Sequence, residues 1–270
     1  MDSAIDLSDA SKALDLSNIR FQLVASSISA EPDNIHSGGV RLPGSDLSLF
    51  DWILREQEAL HSLVRRYESP DEYPFFPDAL NKPILQPLNY PKILHPNDVN
   101  VSAAIKRKYI EVILPRACPD FGREDRGEQQ ENYGSTATID VSLLQALSRR
   151  IHFGKFVAES KFQAETERFV QLVKAEDRKG IDEAITNAKV EKKVLERLRL
   201  KARTYGKDPS IEANDHGKIN VDAVVSMYEV GLPGAHTSFE TENFQETVIP
   251  LTKEVEVEYL MQRLIGTEWE

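Results

Sequence analysis

Arg150 and Lys161 stand eleven positions apart in a stretch, Ile139 to Gln163, that has no proline. Its apolar residues recur at helical spacing: Leu143, Leu147, Ile151, Gly154, Ala158 and Phe162. Eleven residues are about three turns of α-helix, so both cations leave the same face. Between them lie the small residues Gly154, Val157 and Ala158. A small-residue floor with a cation at each end suits a compact, doubly anionic ligand. A long core helix with two solvated or ion-paired cations meets the same pattern, and periodicity alone favours that plainer reading.

Two polar pairs at i,i+4 add to the set, Asn187 with Glu191 and Thr252 with Glu256; each shares one helix face. Taken singly, each pair reads as a cap or a solvated face. Arg20 is a further cation, within an apolar stripe of Leu14, Ile19 and Leu23. None of these residues forms a metal cluster, a nucleophile triad or a glycine-rich phosphate loop. The single cysteine, Cys118, excludes an internal disulfide and any cysteine-based zinc site, and the six histidines show no metal-type i,i+4 pairing.

The elements that must position these groups are read as helices. Ser8 to Ser27 is one, followed by a loop through Pro32, Gly38, Gly39, Pro43 and Gly44. Ser48 N-caps a helix to Tyr67 whose apolar face is Phe50, Ile53, Leu60, Leu63, Val64 and Tyr67. Ser69 to Pro96 is proline-rich yet apolar, which predicts an extended segment wrapped on the helical body. Val99 to Leu114 is helical, and 119–131 is a charged, mobile loop. Gly134 to Thr138 offers caps for the long helix of about 139–163, and its free N–H groups could hold a carboxylate.

Short helices follow at Glu165 to Ala175 and Lys179 to Ile185, then helices at Val190 to Tyr205 and Asn220 to Tyr228. A loop over 231–247 precedes the last element, Val248 to Ile265. Glu254 to Tyr259 alternates as a strand would, but no other convincing strand exists to pair with it, so it is read as helix. The chain is therefore all-α, a single-domain multi-helix bundle over 1–270.

Bulk composition narrows the function. A net charge of −11 argues against general affinity for nucleic acid or an anionic membrane, so local cations must draw an anionic ligand against the overall field. No apolar run reaches membrane-span length and no secretory signal is visible, which suggests a cytoplasmic protein.

Several long stretches, in order, closely resemble the fungal and plant chorismate mutases of the all-helical AroQ type. They are Ser69 to Pro77, Asn89 to Leu94, Asn132 to Ser135, Ser148 to Gln163 and Pro250 to Leu260. The resemblance runs from Ser48 onward, plus Leu16 to Val24. It implies an isomerase converting chorismate to prephenate, the committed step toward phenylalanine and tyrosine, with no cofactor. The protein holds a flexible dicarboxylate in a chair and stabilises the charge that grows on the ether oxygen.

Carried over by position, Arg150 and Arg20 clamp the carboxylates, where a guanidinium fork suits bidentate contact. Lys161 donates to the ether oxygen. Glu256 meets that oxygen from the other side and must be protonated to help. Glu191 and Asn187 bind the ring hydroxyl and nearby carboxylate, and Thr252 lines the pocket. The resemblance further implies a homodimer inhibited by tyrosine and activated by tryptophan, with Arg65, Arg66, Asn132, Gly134, Ser135 and Thr138 as the effector contacts.

Three departures from the family pattern stand out. The first helix lacks the acidic and apolar run beyond Arg20, 231–247 is an inserted loop, and Asn220 replaces a threonine tied to the allosteric switch. They leave open a second reading: a non-catalytic helical dimer that binds aromatic amino acids or a mutase partner subunit.

Overall fold

The computed structural model describes residue 40 and residues 42–89, 91–114, 129–194, 196 and 247–270, with the backbone alone at 129–132. The expected first helix with Arg20, residues 119–128 of the expected loop, Asn220 and its helix, and loop residues 231–246 lie outside that set. Every regular element among the described residues is helical.

Helix α1 spans Leu49–Leu63, and the Ser48 hydroxyl caps it by accepting the Asp51 N–H at 3.0 Å. Its buried face differs from the expected one. Phe50, Leu54, Glu58 and Ser62 point inward, while Leu60 and Val64 are exposed. The two buried polar residues serve the proline-rich segment. Glu58 accepts the N–H groups of Phe75 and Phe76 at 2.7 to 3.0 Å, and Ser62 Oγ accepts the Asn81 N–H at 2.8 Å. A segment rich in proline cannot satisfy its own backbone, so the helix beneath supplies the acceptors.

Further along the same strap, the His95 N–H donates to the Tyr259 hydroxyl at 2.9 Å. It then enters helix α2, Ser102–Lys108, which continues into a π-turn at Tyr109–Ile113.

Helix α3 spans Gln129–His152 and α4 spans Gly154–Ala164. The long central helix is thus present, but it starts about ten residues earlier than the sequence suggests and is interrupted at Phe153. The expected loop residues 129–131 lie in its first turn. Gly134 to Thr138 does not cap it either, because these residues are already inside the helix. The Thr138 hydroxyl donates back to the Gly134 carbonyl at 2.8 Å, the i−4 bond that lets a threonine sit within a helix. Those backbone N–H groups are committed to the helix.

Helices α5, Thr166–Lys174, and α6, Arg178–Ile185, follow, and the described part of α7 covers 188–194 and 196. Helix α8, Val248–Gln262, confirms the helical reading of the last element. Pro250 falls in its first turn, where its missing N–H costs nothing.

Two apolar cores result. Phe50, Leu54, Ile105, Leu144, Leu147 and Ile151 pack with Val248, Leu251 and Val255. Ala158, Phe162, Phe169, Ile181 and Ile185 pack with Val257, Tyr259 and Leu260. Helix α3 serves the first core, α4 the second, and α8 runs through both. The interruption at Phe153 marks the seam between them.

Candidate active site

At that seam α4 begins with Gly154, against the middle of α8. A Cβ there would lie 3.0 Å from Thr252 Cγ2 and 3.1 Å from both Glu256 Cγ and the Thr252 carbonyl oxygen. Only glycine lets the two helices come this close. Thr252 and Glu256, one turn apart on α8, are both nearly buried, and the Thr252 hydroxyl is spent on the Val248 carbonyl at 2.6 Å. Two turns along α4, Lys161 Nζ lies 3.9 Å from Glu256 Oε2 and donates to the Ile185 carbonyl at the end of α6.

Burial pushes the Glu256 carboxyl up to about 7, while the charges of Lys161, Arg150 and Lys253 draw it back and Glu191 pushes the same way as burial. Arg150, in the last turn of α3, therefore acts on the same carboxyl as Lys161, although Phe153 puts the two cations on different helices. The spacing argument holds because the interruption is small: the Phe153 N–H still bonds to Arg149 O at 3.0 Å, and the Phe156 N–H to Phe153 O at 3.0 Å.

Glu191 Oε1 lies 3.2 Å from Lys253 Nζ. Sequence reading gives Lys253 no role. Its position next to Thr252 and three before Glu256 is the available signal. Asn187 caps α7, accepting the Val190 N–H on Oδ1 at 3.2 Å. No group of three or more His, Cys, Asp or Glu able to hold a metal occurs among the described residues.

Arg65 and Arg66 follow the end of α1. Arg65 has a left-handed backbone (φ 68°), and its guanidinium donates to the Gln86 carbonyl. Arg66 is engaged three ways: with His61 Nδ1 at 2.8 Å, Gln145 Oε1 at 3.0 Å and Glu72 Oε2 at 3.1 Å. Gln145 lies seven residues beyond Thr138, about 10 Å along α3. Arg66 thus meets α3 well past Gly134, Ser135 and Thr138. Asn132 is described by its backbone alone.

Comparison with known proteins bears on the family and the fold. The sequence model of the family described as Chorismate mutase type II matches residues 132–230. The chorismate mutase of Emericella nidulans is 63% identical over 283 residues, covering all of both chains. That of Saccharomyces cerevisiae is 46% identical over 228 residues, covering 84% of this chain and 80% of its own. Among solved structures, the Candida albicans chorismate mutase in complex with L-Trp matches with a TM-score of 0.82 and 38% identity, over 97% of this chain and 92% of that one. AtCM1 with tyrosine bound in its allosteric site matches with a TM-score of 0.79 and 34% identity, over 97% and 99%.

The chain belongs to the chorismate mutase family, in the all-helical AroQ form of fungi and plants. It is accordingly an isomerase. No helix among the described residues is long and apolar enough to cross a membrane.

Proposed function

We propose that this seam converts chorismate to prephenate, with Arg150 and Arg20 holding the two carboxylates and Lys161 and Glu256 flanking the ether oxygen. The carrying observation is a buried Glu256 carboxyl, held near neutral, 3.9 Å from the Lys161 ammonium. The rearrangement is intramolecular and forms no covalent link to the protein. What the site supplies is a fixed chair and donors aimed where negative charge grows. Lys161 gives one donor. Glu256 in its acid form gives the second, and its ionised form would oppose the developing charge. Glu191 and Asn187 take the ring hydroxyl and nearby carboxylate; Asn187 still has its amide N–H₂ to offer. Thr252 closes the wall.

Tyrosine as inhibitor and tryptophan as activator bind, in this reading, between two copies of the chain acting in the cytoplasm. Arg65 and Arg66 of one copy face Asn132, Gly134, Ser135 and Thr138 of the other, the arginines supplying the charge that holds the effector carboxylate. Support comes from exposed Leu60, Val64, Ile84, Leu85 and Leu88, which surround Arg65 and suit a buried interface. It also comes from the amino acids bound in the Candida albicans protein and AtCM1.

The decisive assay mixes purified protein with chorismate and follows loss of its diene absorbance, with and without tyrosine or tryptophan. Turnover that tyrosine depresses and tryptophan raises is expected. A folded dimer without turnover would leave only the binding relative.

A further inference from the structure

Resting on the reading that Glu191 and Asn187 receive the substrate's ring hydroxyl, we propose that Lys253 is a positioning residue. It docks the helix carrying Glu191 onto α8 and acts on the substrate only through that carboxylate. Among its described residues, helix α7 has few buried side chains of its own. Ala188, Lys189, Val190, Lys192 and Lys193 are exposed, and Glu191 and Val194 are only half-buried. The cap by Asn187 fixes its start but not its rotation. The Lys253–Glu191 pair, 3.2 Å with both side chains 20% exposed, ties it to α8.

Helix α8 is a firm anchor, since Thr252 and Glu256 are seated against Gly154 and Leu251 and Val255 are buried in the first core. Lys253, next to Thr252, turns from that contact toward α7. Charge adds a second reason. Glu191 and Glu256 are two carboxyl groups serving one small site, and Lys253 stands near both. Its ammonium pairs with Glu191 and draws the Glu256 carboxyl down, so one cation serves both acids. The pair is too near solvent to add much to global stability, so its effect belongs in substrate binding.

The test is a double-mutant cycle of Lys253→Gln and Glu191→Gln, with Lys253→Arg as the conservative control. It is read as kcat and KM for chorismate, with amide exchange over 188–194. Expected are a KM about tenfold higher in K253Q with kcat nearly unchanged, recovery in K253R, and no further KM rise when K253Q is added to E191Q. Exchange over 188–194 should quicken in K253Q and that of α8 should not. Additive KM effects would overturn the proposal, since Lys253 would then touch substrate itself. Wild-type KM and exchange in K253Q would overturn it equally. A wild-type protein that leaves chorismate unchanged would instead remove the functional reading, and with it any role of Lys253 in a reaction.

Discussion

A single carboxyl sets the pH behaviour expected of this enzyme. Glu256 is pushed up to about 7, so its acid form predominates below neutrality and is lost as pH rises through that value. Turnover should fall by about tenfold per pH unit well above 7, and Glu256→Gln should abolish that decline while keeping measurable activity. A pH–rate profile of the two proteins decides it; the same alkaline fall in E256Q would refute the acid role. The linked stability has the same sign. A raised pKa favours the folded state most below the ordinary value near 4.5, and the benefit drains away as pH climbs to about 7. Gly154 makes a second residue-scale prediction. Ala there gains helix propensity, but its Cβ meets the Thr252 carbonyl oxygen at 3.1 Å and must push α4 from α8. Gly154→Ala should lower kcat/KM by about tenfold, because a few tenths of an ångström of separation already moves Thr252 and Glu256 against the α4 side of the site. Wild-type kinetics in G154A would show that the close approach is not needed.

Elements are legible in the sequence where an apolar stripe faces a core. Leu143, Leu147, Ile151, Ala158 and Phe162 are all buried as the 3.6-residue period requires. Legibility fails where a polar side chain does a structural job for backbone distant in sequence. Glu58 and Ser62 look like the wet side of α1, because the N–H groups they satisfy lie seventeen to nineteen residues away in the strap. Leu60 and Val64 are then assigned inward by default. Likewise, Gly134 to Thr138 has the composition of a cap, but side chains that bond to the preceding turn are equally at home inside a helix. Of the site, Lys161, Thr252 and Glu256 can be placed by spacing, and Lys253 cannot, because its partner is on another helix. The strap itself invites a test. Glu58→Ala leaves two N–H groups without their buried acceptor and should cost about 3 kcal/mol in urea unfolding. A loss below about 0.5 kcal/mol would mean that water replaces the carboxylate. A second tie comes from Arg149, whose Nε lies 2.6 Å from Asp71 Oδ2 one residue before Arg150.

At the scale of the whole molecule, the exposed Leu60 and Val64 flanking Arg65 are the features one chain does not explain. Substituting both by glutamate should convert a dimer to monomers in sedimentation and erase the response to tyrosine and tryptophan, with far-UV dichroism unchanged. A double variant that still sediments as a dimer would place the interface elsewhere. Another feature bears on how the protein is made. Helix α8 contributes Val248, Leu251 and Val255 to one core and Val257, Tyr259 and Leu260 to the other, and it is the last of the described helices to be synthesised. Until it emerges from the ribosome, a nascent chain that already holds α1 to α7 shows two open apolar clefts at once. Such exposed surface is what chaperones bind and what drives aggregation. Both cores are therefore closed only once α8 has packed against α1 to α7.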